Sequence, residues 1–130
     1  MSDPIWIEEH EVLALHDHLL ALEGGPPGVR SQALLESAVA RPRQPQSYGD
    51  DPDIVVAASY AAGIIRNHPF ADGNKRTAFL VSVLFLEMNG RRFVADEADA
   101  TEAFLQLAAG RLEETAFANW LRANVRKSAA

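Results

Sequence analysis

The stretch NHPFADGNKRTAF (67–79) sets a histidine, an aspartate, a glycine, an asparagine and two adjacent cations directly before the most apolar segment of the chain. These residue types suit work on a polyphosphate. An imidazole such as His68 can take a proton from a hydroxyl at neutral pH. A carboxylate such as Asp72 can hold a hard Mg²⁺ ion that bridges phosphates. Asn74 is a good helix N-cap, and Gly73 permits the tight turn before it. That placement predicts the first free N–H groups of a helix at residues 74 to 77, an end that attracts anions. Lys75 and Arg76 fall on the same first turn, where cations are unfavourable unless an anion sits among them.

Each residue alone has a plainer use. A single histidine beside a loop makes ordinary hydrogen bonds, Asp-Gly is turn chemistry, and Lys-Arg is a solvated face. The combination, in this order, points to a polyphosphate site with a base. It is not a Walker A loop, because two glycines four residues apart followed by Lys-Ser/Thr are missing. Phe70 reads as the anchor that plugs the loop into the core.

The elements that must hold this stretch read as an all-α chain of about six helices around a central apolar helix. Val12, Leu15, Leu19 and Leu22 step along one face of a first helix, which stops at GGPPG. Residues 31–40 form a second, with Ser31 as its N-cap. Residues 41–53, with three prolines and a Gly-Asp pair, read as an exposed loop. Asp53 can cap a third helix, in which Gly63 allows another helix to come close. The fourth, from about Lys75 to Asn89, is apolar on nearly every side and so reads as central. Asp96 caps a fifth, and Phe117, Trp120, Leu121 and Val125 line a sixth. RRFVA (91–95) is too short to classify, and RANVRKS (122–128) reads as a solvated helix end.

A length of 130 residues predicts one domain over 1–130. With no cysteine, disulfides and thiolate zinc sites are ruled out. The first residues lack a basic start and an apolar core, and no apolar run reaches membrane length. A cytoplasmic protein with no membrane contact is therefore expected. The net charge of −6 argues against direct contact with nucleic acid.

HPFADGNKRTA closely resembles the Fic/Doc signature, His-x-Phe-x-Asp/Glu-Gly/Ala-Asn-x-Arg. Lys75 fills the variable position, where the AMP-transferring Fic branch usually has glycine and death-on-curing (Doc) toxins have lysine. GGPPGVR, LLESAVARP, YGD, GIIRNHPF and LAAGRLEE extend the resemblance over nearly the whole chain. The resemblance implies a Fic/Doc fold and a toxin neutralised by a cognate antitoxin. It implies transfer of a phosphoryl group from ATP, with Mg²⁺, to a threonine of elongation factor Tu or another translation protein. His68 would then be the base, and Asp72 would orient it or hold Mg²⁺. Gly73, Asn74, Lys75 and Arg76 would contact phosphates, with Arg76 also stabilising the transferred charge. The 41–53 loop would stand where the family's target-docking flap lies. AMP transfer to a protein hydroxyl and a catalytically silent, partner-binding role are the alternatives.

Several residues outside the motif have two readings. Arg66 either complements the C-terminal dipole of the third helix or joins the phosphate contacts, and Arg30 is similar. Tyr48 either touches a partner or covers its own turn. His10, His16 and His18 read as surface or groove-edge residues, since their spacing fits no helical metal pair.

Overall fold

The computed structural model describes residues 3–44 and 46–128. Six helices account for most of it: α1 (Glu9–Glu23), α2 (Gln32–Ala40), α3 (Pro52–Asn67), α4 (Asn74–Met88), α5 (Glu97–Ala108) and α6 (Glu114–Ala123). A 3₁₀ turn, Arg41–Arg43, extends α2. Two short strands, β1 (Arg91–Phe93) and β2 (Val125–Lys127), pair antiparallel. None of these helices is long and apolar enough to cross a membrane.

The helix ends follow local chemistry. Ser31 caps α2, its Oγ accepting from the Leu34 N–H at 3.2 Å, and Asp96 caps α5 by accepting from the Asp99 N–H at 2.8 Å. The third helix departs from expectation. Its cap is Asp51, two residues before Asp53, and Pro52 is its first residue. Proline's fixed φ suits that position, and its missing N–H would have had no helical partner there. The Asp51 carboxylate is instead engaged by Arg91 Nη2 at 2.9 Å.

The core lies where α3 meets α4, and α3 also carries α2 and α6. Ile54, Tyr60 and Ile64 of α3 and Val81, Phe85 and Leu86 of α4 are fully buried. Gly63 lets α2 approach α3. A Cβ there would lie 3.3 Å from the Ala38 Cα and carbonyl oxygen. In the N-terminal half of α4, Phe79 packs edge-on to Phe93 and Phe104 and at a tilt to Phe117 and Trp120.

The strands correct the reading of 122–128 as a helix end. Helix α6 stops at Ala123, and the Asn124 amide turns back to the Trp120 carbonyl at 2.8 Å. Val125 then pairs with Phe93 across the ladder and stays buried. Helical spacing could not separate a buried strand residue from a last helical one, since both placements bury Val125.

The 41–53 segment is braced against the flank of α3. Arg41 grips both oxygens of Glu114 at 3.1 and 2.9 Å and donates to Ser59 Oγ at 2.8 Å. The Tyr48 hydroxyl donates to the same carboxylate at 2.6 Å. Tyr48 therefore ties down its own loop. Burial pushes the Glu114 carboxyl up. The hydrogen bonds from Arg41 and Tyr48, with the Arg41 and Arg66 charges, outweigh it and hold the group below the ordinary glutamate value.

Two tests follow from this packing. Gly63→Val should force α2 away from α3 and destabilise the chain by about 1–3 kcal/mol, read as a lower urea midpoint. An unchanged midpoint would mean that the α2–α3 contact is not close. Glu114's pKa is lower folded than unfolded, so its contribution is fully present above about pH 4.3 and is lost as pH falls through the folded value. Glu114→Gln should therefore flatten the acid limb of the Tm-versus-pH curve below that point. A parallel limb in the variant would refute the assignment.

Candidate functional site

The loop His68–Gly73 joins two core helices, and its shape is set by backbone contacts on both sides. His68 closes α3 with φ 52°, and among the described residues it is the one non-glycine residue with positive φ. Such a conformation is uncommon outside glycine and asparagine and needs support from its surroundings. Arg30 supplies part of it. Its guanidinium donates to the His68 carbonyl at 2.7 Å and the Asn67 carbonyl at 2.8 Å, satisfying the exposed end of α3. The backbone of 28–31 adds a short antiparallel bridge. The Arg30 and Ser31 N–H groups donate to the Pro69 carbonyl, and the Ala71 N–H donates to the Gly28 carbonyl.

This places the segment flanking the motif loop at 28–31 and corrects the expectation for 41–53. That loop feeds the N-terminal end of α3, whereas His68 closes its C-terminal end. Sixteen helical residues separate the ends, roughly 24 Å at 1.5 Å per residue. Pattern alone could not choose between the two irregular segments, since both are rich in proline and glycine.

Asn74 also departs from expectation. Gly73, with φ 79°, is the N-cap of α4, and Asn74 is the first helical residue. Its amide folds back into the loop, accepting from the Phe70 N–H at 2.9 Å and donating to the Phe70 carbonyl at 3.0 Å. The remaining amide hydrogen faces His68 Nδ1 at 3.2 Å. The side chain is nearly fully buried and is used up in closing the loop. Its backbone N–H still belongs to the open first turn. The helical ladder begins with Thr77 N–H to the Gly73 carbonyl, at 3.0 Å, which leaves the N–H groups of 74–76 without helical partners.

His16 is a buried residue and not the surface or groove-edge residue that its spacing predicts. It is 1% exposed, stacks on Phe70 with centroids 3.8 Å apart, and its Nε2 lies 2.7 Å from the Asp72 carbonyl. It therefore fixes the base of the loop from α1. The signal for it was present, since His16 lies between Val12 and Leu19 on the buried side of that helix.

Around this loop lies a cavity of about 450 Å³. His68, Asp72, Gly73, Asn74, Lys75 and Arg76 all line it, together with His16, Glu23 and Phe104. Two of its features bear no signal in the local sequence pattern. Glu23, the last residue of α1, pairs with Arg76 Nε at 3.0 Å, and the Arg76 guanidinium stands 4.6 Å from the centre of the Phe104 ring. Gly25 passes so close to the loop that a Cβ there would meet Asp72 Oδ2 at 2.7 Å.

Arg66 is absent from this lining, which corrects its assignment as a phosphate contact. Two residues before His68 on a helix, it points to another side. It faces a separate cleft of about 550 Å³, where its Nη2 lies 3.5 Å from Glu114. That cleft is the larger one, but it holds none of the motif residues, and the start of α6 on its wall carries the carboxylates Glu113 and Glu114.

A family model described as the Fic/DOC family matches residues 6–86. The chain belongs to the Fic/Doc family. Two relatives bear this out. One is the protein called "Protein kinase doc" of Escherichia phage P1, 32% identical over 117 residues, covering 89% of this chain and 92% of that one. The other is "Toxin Doc" of Mycolicibacterium smegmatis (strain ATCC 700084 / mc(2)155), 40% identical over 92 residues, covering 68% and 70%. The Fic/Doc match spans α1 through most of α4 and so takes in every residue that lines the cavity except Phe104.

In this Fic/Doc chain the loop should be sensitive to the amide that closes it. Asn74→Ala leaves the buried Phe70 N–H without an acceptor and should destabilise the protein by about 1–3 kcal/mol. It should also speed amide exchange at Phe70 and Ala71. If exchange there is unchanged, the amide is not what holds the loop.

Proposed function

We propose that this chain is a Doc-type toxin that transfers the γ-phosphoryl group of ATP to a protein hydroxyl. The observation carrying this reading is that the imidazole, the carboxylate and both cations of the motif line one cavity at the open start of α4. The likeness to a protein called a kinase, over 89% of this chain, supports it. The target is a threonine of a translation protein, with elongation factor Tu as the first candidate, and modification halts translation. A cognate antitoxin neutralises the toxin in the cytoplasm, and the chain acts as a single Fic/Doc domain.

Phosphoryl transfer asks a protein mainly for positioning and charge stabilisation. The first-turn N–H groups and the Arg76 fork take phosphate oxygens, and Lys75 adds a point charge. Lys75 also occupies the position where AMP-transferring relatives keep glycine, which favours the phosphoryl reading. Asp72 is a suitable single protein ligand for Mg²⁺, an ion that completes its shell with phosphate oxygens and water. No cluster of three metal-binding side chains exists among the described residues, so the cavity suits a nucleotide-borne ion rather than a resident one. Held by Asp72, Mg²⁺ would offset the negative charge of the phosphate groups.

His68 takes the proton of the attacking hydroxyl. In the resting geometry the Asn74 amide faces Nδ1, which leaves the neutral ring's proton on Nε2. For Nε2 to act as the base, that long 3.2 Å contact must open and the ring proton must move to Nδ1. A modest rotation of the exposed ring opens the contact, and the tautomer changes as Nε2 gives its proton to water and Nδ1 takes one from water.

Incubation with γ-labelled ATP and elongation factor Tu should label the factor, and α-labelled ATP should not. His68→Ala should lower the rate by about 10²–10⁴. Arg76→Ala should lower it at least as much, because charge stabilisation is usually the larger effect. Full activity in both variants would overturn the site, and transfer of the α label would overturn the reaction.

A further inference from the structure

His68 is held by its backbone more than by its ring. The residue is exposed, and the hydrogen-bond contact of its ring is the long 3.2 Å approach of the Asn74 amide to Nδ1. The direction of the imidazole into the cavity therefore follows from the backbone at φ 52° and ψ 53°. Three conformations compete at this position. Right-handed helical geometry is disfavoured for a residue that precedes proline, and Pro69 comes next. The extended region is the ordinary choice before proline, and it is free of the steric clash that a left-handed residue carries. Something must hold His68 out of it.

Arg30 fits that task. Its Nη2 donates to the Asn67 carbonyl at 2.8 Å and its Nε to the His68 carbonyl at 2.7 Å. One planar guanidinium thus spans two consecutive carbonyls. Consecutive carbonyls point the same way when the residue between them has helical dihedrals of either hand. In a pleated, extended chain they point opposite ways. The two-pronged grip is therefore available with His68 left-handed and lost with His68 extended. The Arg30 N–H also donates to the Pro69 carbonyl, at 2.6 Å, so backbone and side chain together bracket residues 67–69. Arg30 does not line the cavity, and any effect it has on the chemistry must pass through the backbone it holds.

We propose that Arg30 is a positioning residue for the base. By bridging the two carbonyls it keeps His68 left-handed and the imidazole in the cavity. The catalytic half of this rests on His68 taking the hydroxyl proton, as argued above, and the conformational half stands without it.

The test compares the wild-type chain with Arg30→Met, which keeps an aliphatic stem and removes the donors, and with Arg30→Lys. Without the bridge His68 should become mainly extended. The kcat for transfer from γ-labelled ATP to elongation factor Tu should then fall roughly five- to thirtyfold, the population ratio set by the steric clash of a left-handed residue. KM for ATP should not change. Arg30→Lys should recover part of the rate, because an ammonium is a point donor without the planar fork. On a His68→Ala background Arg30→Met should bring no further loss, since two residues that act as a unit are not additive. A positive φ also brings the amide and α hydrogens of one residue close together. The resulting strong Overhauser effect within His68 should weaken in Arg30→Met.

An unchanged kcat in Arg30→Met would overturn the proposal. An equal loss on the His68→Ala background would overturn it by showing a general disturbance of the fold. A raised KM with kcat intact would overturn it by showing a substrate contact. Persistence of the Overhauser effect in Arg30→Met would overturn it whatever the rate. If the wild type transfers no phosphate, the reaction assigned above falls by itself. The Overhauser effect then decides on Arg30, its loss supporting the bridge and its persistence refuting it.

Discussion

The buried amide of Asn74 is the constraint on which the candidate site depends. It meets both the N–H and the carbonyl of Phe70 and presents its remaining hydrogen to His68. One side chain thus closes the loop, seats its anchor and faces the imidazole. Because the amide is almost completely withdrawn from water, it cannot exchange these bonds for solvent at little cost. Phe70 is held from its other face by the stacked ring of His16. The motif loop is in this sense a small closed structure, clamped between α1 and α4.

Electrostatics explain why such a clamp is needed. The first turn of α4 brings together three unpartnered N–H groups and two cationic side chains, all of one sign. Left alone these groups repel one another and oppose the helix dipole. Glu23 relieves the strain on the side of Arg76. Lys75 remains exposed to solvent, where water screens it. The polarity of the cradle is built by the backbone and offset by a carboxylate from a neighbouring helix.

Helix α3 organises the rest. Arg41, itself held by Glu114, donates to Ser59 at the middle of the helix, and Arg30 satisfies its C-terminal end. Two arginines from the irregular segments thus serve it through backbone carbonyls or a buried carboxylate. Arg66, near the same C-terminal end, faces away from the motif and leans toward Glu114. The difference between Arg30 and Arg66 is one of direction. Both lie within a few residues of His68 in space or sequence, but only Arg30 comes from a segment running antiparallel beside the loop.

The sequence by itself determined the six helices, the apolar character of α4, the close approach at Gly63 and the membership of His68, Asp72, Lys75 and Arg76 in one compact group. Periodicity, capping residues and the spacing of the motif are local properties, and a helix carries neighbours in sequence to predictable places. Only the tertiary structure decided which distant residues meet that group. His16 and Glu23 from α1, Arg30 from the turn after it and Phe104 from α5 arrive by helix packing, whose angles no local pattern encodes. The same holds for the strand pair, where residues 91–93 become extended because 125–127 lie beside them. Asn74 shows the limit most clearly. Its preference for a helix start was legible, but the choice between capping its own helix and stapling the preceding loop depended on where Phe70 came to rest.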